Sequence, residues 1–211
     1  MIRIVTIERE YGCGGTPIAA QLARSLRWKL WDEGLCEEIA RLAQCDRSEI
    51  ESREERMDSL YYRLLKSFLR GSHEGNMSAH ELKMLDADTI FELSKQVIEK
   101  VARQGECVIV GRGSQFFLAD RPDVLRVFLF ASSEEKLRRM KAMGKSASEA
   151  QHLVETVDNE RAAFIKRYFN KDWPNRTQYH LMLNTAMGDE AVVAHIESAM
   201  KIMSAPELAH Q

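Results

Sequence analysis

The chain opens on a short β-branched run, IRIVTI at 2–7, passes through charged and glycine-rich positions 8–15, and continues into IAAQLARSL, whose apolar residues recur at helical steps. That order predicts strand, glycine turn, helix. A second apolar piece, WKLWD at 28–32, predicts another strand, after which helical spacing resumes from Glu33. From Asp46 to about Leu85 the composition turns highly charged, yet Met57, Leu60, Tyr61, Leu64, Leu65 and Phe68 recur every three or four residues, the stripe of an amphipathic helix. With GSHEGN at 71–76 as a flexible end, this stretch predicts an inserted helical flap over about 38–88. Helical spacing returns at Ile90, Leu93, Val97, Ile98 and Val101 and breaks at Gln104-Gly105, before the strand-like CVIVG at 107–111. LRVFLFA at 125–131 predicts the next strand. Ser132 with Glu135, and Ser146 with Glu149, form capping-box patterns for two further helices, the second running to about Phe169 with Leu153, Val157, Phe164 and Tyr168 on one side. YHLMLNT at 179–185 and Glu190–Met203 predict a last strand and a closing helix. Alternating strands and helices predict a single α/β domain over 1–211, with a parallel sheet between two helical layers.

Composition narrows the chemistry. With 211 residues and 45% hydrophobic content the chain has material for a large core, and no repeat or low-complexity tract interrupts it. Lys and Arg number 30 against 32 Asp and Glu. No overall basic field draws in nucleic acid or an acidic membrane, whereas a small anion needs only a local patch. Cys13, Cys36, Cys45 and Cys107 are widely spaced, without CxxC pairs or histidines at zinc spacing, so neither a disulfide framework nor a metal cage is indicated. MIRIVTIERE is charged at Arg3, Glu8 and Arg9, and no run reaches transmembrane length, which predicts a cytoplasmic protein with reduced thiols.

The chemistry concentrates in Glu8–Thr16, between the first strand and the first helix. Glycines at 12, 14 and 15 let backbone N–H groups turn inward, and the helix start adds partial positive charge, so Gly12, Cys13, Gly14, Gly15 and Thr16 form a candidate phosphate cradle. Thr16 falls where a hydroxyl ligates Mg²⁺ in a Walker A loop. Gly15, however, stands in the lysine position of that loop, and Arg9 stands where its first glycine belongs, offering a replacement cation. A tight strand-to-helix turn without ligand is the other reading of the same residues.

VTIEREYGCGG at 5–15, WDEGL at 31–35, VIVGRGS at 108–114 and DNERAAFIKRYFNKDW at 158–173 together resemble the cytidylate kinase-like family, and the resemblance spans nearly the whole chain. It implies a P-loop kinase fold with a nucleotide-binding flap, a helical lid over about 144–172, and transfer of the ATP γ-phosphate to CMP or dCMP with Mg²⁺. It also implies site residues. Asp32 matches the start of an Asp-x-Gly motif that organises Mg²⁺ or the acceptor, its alternative being a cap on the next helix. Arg112 matches the arginine that holds the acceptor phosphate, its alternative being a surface pair with Asp120 or Asp123. Asp158 and Arg161 match a phosphate-binding Asp-x-x-Arg in the lid, with Arg139 and Arg167 as further cations. The tyrosine and arginine that follow the Asp-x-Gly motif, and the aspartate that follows Gly-Arg, have no counterpart here. The leading expectation is a cytidylate-kinase-like phosphotransferase using ATP and Mg²⁺. A nucleotide-binding regulator without useful catalysis and a kinase for another small acceptor stand beside it.

Overall fold

The computed structural model describes residues 1–45 and 87–205. Five strands, β1 (Ile4–Arg9), β2 (Lys29–Trp31), β3 (Cys107–Val110), β4 (Val124–Phe130) and β5 (Leu181–Asn184), form one sheet in the order β2-β3-β1-β4-β5. Every neighbouring pair is parallel. The helices are α1 (Gly15–Leu26), α2 (Glu33–Cys45), α3 (Ala87–Gln104), the single turn α4 (Ser114–Phe117), α5 (Ser133–Ala142), α6 (Ala147–Phe169) and α7 (Asp189–Ser204). The result is the predicted three-layer α/β/α arrangement.

Period-two alternation along the strands sends their side chains into two separate cores. Val5, Ile7, Val108, Val110, Leu125, Val127 and Leu129 pack with Ile18 and Leu22 of α1 and with Val192 and Ile196 of α7. On the opposite face Ile4, Cys107, Ile109 and Val124 pack with Leu35 and Ile39 of α2, Val97 and Ile98 of α3, and Phe164 and Ile165 of α6. A smaller cluster of Met140, Ala150, Leu153 and Val157 joins α5 to α6 and receives Tyr11 from the glycine turn.

Both predicted serine caps form: Ser132 accepts from the Glu135 N–H and Ser146 from the Glu149 N–H, each at 3.2 Å. Glu135 bonds to Arg138 and Arg139, and Glu149 to Lys145. One boundary shifts with consequences for the site. The hydrophobic run suggests that β1 stops at Ile7, but the ladder continues through Glu8 and Arg9, opposite Phe128 and Leu129 of β4. Neighbouring polar groups hold these charges inside the sheet, so the turn begins at Glu10. Most of the predicted flap, including its Met57–Phe68 stripe, lies outside the described residues. No helix among the described residues is long and apolar enough to cross a membrane.

Candidate functional site

In a parallel sheet the strand ends that share a direction gather their loops on one rim, where ligands of open α/β folds bind. Here that rim collects Arg9 at the end of β1, Asp32 after β2 and Arg112 two residues beyond β3. The turn between β1 and α1 lies beside them. Gly12 and Gly14 adopt φ of +77° and +85°, and Gly14 begins α1 with no side chain capping it. Pro17 brings no N–H to this first turn, and the Gly15 N–H meets the Cys13 thiol. Cys13 anchors the turn from below: its buried Sγ meets the Leu129 carbonyl at 3.6 Å, and its own carbonyl accepts from Thr185 Oγ1 at 2.7 Å. Burial lifts its thiol to about 11, which makes it a packing group instead of a nucleophile.

Asp32 is the hub of the rim. Its Oδ1 accepts from Arg112 Nη1 at 2.8 Å, its Oδ2 from the Thr16 hydroxyl at 3.2 Å, and Arg9 Nη2 approaches Oδ1 to 3.7 Å. Burial acts to raise its pKa, but Arg9 and Arg112, with the hydrogen bonds from Arg112 and Thr16, outweigh burial and the net shift is downward. Arg112 also donates to the Val110 carbonyl at 2.9 Å from a backbone held at φ +58°. Its ion pair is with Asp32, while Asp123 pairs with Arg121. The surface-pair alternative for Arg112 is thereby replaced by a buried one.

A second set of charges clamps the turn from above. Lys136 of α5 reaches Glu10 at 2.8 Å and Asp158 at 3.3 Å. Asp158 accepts the Tyr11 N–H at 2.8 Å, and Arg161, buried as its place on the helical stripe implies, donates to the Arg9 carbonyl at 2.9 Å. Burial raises the Asp158 pKa despite Arg161, the Tyr11 N–H and Lys136. Arg139 lies over the turn, where its Nη1 would collide with any side chain at position 14, while Glu135 and Asp189 hold its other nitrogens. Arg167 is not brought into this assembly. It lies beside Asp88 at 3.6 Å, at the seam between α3 and α6.

The sequence puts Glu8 and Glu10 inside the stretch that carries the chemistry without giving them a role, and it does not single out Lys136 or Gln115. Glu8 Oε1 accepts the Arg9 N–H at 3.1 Å, and its Oε2 lies 3.4 Å from Gln115 Nε2, which also reaches the Tyr179 hydroxyl. Lys136 carried a usable signal, since it stands four residues before the buried Met140 on the same helical face. Gln115 carried none, because its role depends on a four-residue helix turning it beneath β1. Among the described residues no group of three or more His, Cys, Asp and Glu is placed to hold a metal ion.

Among solved structures, an uncharacterized protein from Eubacterium ventriosum superposes with a TM-score of 0.68 at 18% identity, covering 95% of this chain and 99% of that one. A Thermus thermophilus protein gives 0.54 at 18% identity, with 97% and 98% covered. Shikimate kinase from Bacteroides thetaiotaomicron gives 0.51 at 18% identity, with 95% and 99% covered. These likenesses concern the fold. No curated protein matches the sequence significantly. The profile of the cytidylate kinase-like family matches residues 4–187, most of the chain and every residue of the rim and turn, and the chain belongs to that family.

Proposed function

We propose that the chain transfers the γ-phosphate of ATP, with Mg²⁺, to CMP or dCMP. The buried Arg9–Asp32–Arg112 cluster beside the uncapped start of α1 carries this reading. A surface arginine pair is common and weak, whereas charges this deep persist where they have work to do or where breaking them is costly. In the proposal the glycine turn and the start of α1 receive the donor phosphates, and Arg112 receives the acceptor phosphate. Arg161 and Asp158 hold the turn through the Arg9 carbonyl and the Tyr11 N–H, with Arg139 above it as a further cation.

Charge balance bears on the metal. Arg9, Arg112, Arg161 and Lys136 are already matched by Glu8, Glu10, Asp32 and Asp158. A polyphosphate therefore enters with a cation or displaces a carboxylate. Thr16 Oγ1 and Asp32 Oδ2, a hydroxyl and a carboxylate held 3.2 Å apart at the start of α1, are the hard oxygen donors that suit Mg²⁺, which takes its remaining ligands from phosphate and water. When bound, the ion would neutralise charge on the transferring phosphoryl oxygens.

The test is product formation from ATP and Mg²⁺ with CMP, dCMP, UMP, AMP and no acceptor. Because a shikimate kinase shares the fold, shikimate belongs in the same panel. CDP or dCDP formed together with ADP is the expected result. Gly15 favours a second reading, a nucleotide-binding regulator. Tight ATP binding by folded protein with no product from any acceptor would replace the kinase proposal with that one.

A further inference from the structure

Three arginines show what a satisfied guanidinium looks like in this protein. Arg41, Arg121 and Arg138 each point the edge formed by Nε and Nη2 at both oxygens of one carboxylate, at distances between 2.6 and 2.9 Å. This is the two-pronged fork with which arginine grips planar or tetrahedral oxyanions. Arg9 holds the same edge differently. It is only 4% exposed, and neither its Nε nor its Nη2 has a hydrogen-bond partner among the described residues. Glu8 lies 3.9 Å from Nη1, and Asp32 lies 3.7 Å from Nη2, too far to bond. A buried fork left open costs stability unless something with two acceptor oxygens fills it.

Its place at the end of β1, beside the turn, says what that is. A Cβ at position 15 would stand 2.8 Å from Arg9 Cγ and 2.9 Å from its Cβ, and a side chain at position 111 would collide with Arg9 Nη1. Arg9 thus fills the space that a side chain at 15 would occupy. It lies between the phosphate turn and the Gly111-Arg112 segment, the two places assigned to donor and acceptor phosphates. Compared with a Walker A loop, positions 9 and 15 have exchanged residue types: the first glycine has become a cation and the lysine has become glycine.

We propose that Arg9 is the phosphate-gripping cation of this P-loop, its Nε–Nη2 fork taking two oxygens of the donor polyphosphate, and that Gly15 is glycine because Arg9 comes up from the strand into its space. This rests on the reading of the turn as a donor-phosphate site. Burial, and after it the nearby Arg161, lowers the Arg9 pKa to about 10 although Asp32 and Glu8 act to raise it.

The experiment compares the wild type with Arg9→Gln, which keeps the length of the side chain and removes the fork and charge, Arg9→Lys, which keeps the charge without the fork, and the exchange Arg9→Ala with Gly15→Lys. Titration calorimetry with inorganic pyrophosphate, ATP and adenosine is read beside the CMP assay, with thermal unfolding as a check on folding. We expect Arg9→Gln to weaken pyrophosphate and ATP about 100-fold, Arg9→Lys about 10-fold, and the exchange to recover most of the loss, with adenosine unchanged throughout. Should Arg9→Gln fail to fold, Arg9→Lys and the exchange carry the same comparison. Pyrophosphate affinity within about twofold of wild type in folded Arg9→Gln or Arg9→Lys overturns the proposal. Activity toward CMP that survives in those variants leaves the kinase reading standing without Arg9. Arg9-dependent pyrophosphate binding without transfer to any acceptor leaves Arg9 standing and removes the kinase reading.

Discussion

The two faces of the sheet are built from the same strands and yet differ in kind. Toward α1 and α7, β1 presents Val5 and then Ile7, hydrocarbon until Arg9 arrives at the rim. Toward α2, α3 and α6 it presents Ile4, Thr6 and Glu8, one apolar residue and then two polar ones, all buried. Gln115 and Tyr179 continue this polarity below Glu8. The first face has one task, to bury area, and each residue can be judged by its hydrocarbon alone. The second exchanges hydrocarbon for polar groups as it nears the rim. A core gives up burial in this way where it must orient charged side chains, here Arg9 through its N–H and Asp32 through Arg112.

Removing one member of the rim should produce the largest effect. Arg112→Ala leaves Asp32 buried without its closest cation, and breaking such a pair costs about 3–5 kcal/mol. Urea unfolding should register that loss, and the CMP assay a near-complete loss of turnover. Truncating both partners, Arg112→Ala with Asp32→Ala, should destabilise by clearly less than the sum of the two single changes, because no lone charge is left behind. Additive losses would mean that the two side chains act independently.

How legible each face was in the sequence follows from this contrast. Cys107–Val110 is plain because both sides of a covered strand are apolar and the chain shows it as an unbroken run, and Val124–Phe130 is nearly so, broken only by Arg126. The end of β1 was misjudged for the opposite reason, since Glu8 and Arg9 look like loop residues until their partners on other strands and helices are known. Asp32, Arg112 and Arg161 stand out in the sequence only by motif resemblance, and the fold brings them together as no local pattern could. Asp32 and Arg112 are 80 positions apart, and Arg161 meets Arg9 across 152. Arg167 shares a helix with Arg161, but its angular position turns it toward Asp88.

Acid should probe the rim through Asp32. The folded-state pKa of Asp32 is held below its ordinary 3.8, with burial opposing and Arg9 and Arg112 prevailing. A depressed carboxyl contributes stability that is fully present above the unfolded pKa and is lost as pH falls through the folded one. Asp32→Asn should therefore be less stable than wild type at pH 7, with the gap between their urea midpoints narrowing once the pH drops below about 4. A gap that stays constant down to pH 3 would place the cost of the variant in packing and leave the charge without effect.

The smallest expected effect has the opposite sign. Thr6 is 1% exposed, and its Oγ1 has no hydrogen-bond partner among the described residues. Thr6→Val keeps the branched shape, suits a buried strand and removes a hydroxyl that was taken out of water without compensation. On the apolar face, where Val5 and Ile7 already stand, there is no such hydroxyl to remove. The change should raise stability by roughly 1 kcal/mol in urea unfolding and leave phosphate affinity unchanged. A loss of stability would show that the hydroxyl has a partner in solution, and a parallel loss of phosphate affinity would extend the functional rim one residue pair deeper into the sheet, from Glu8 to Thr6.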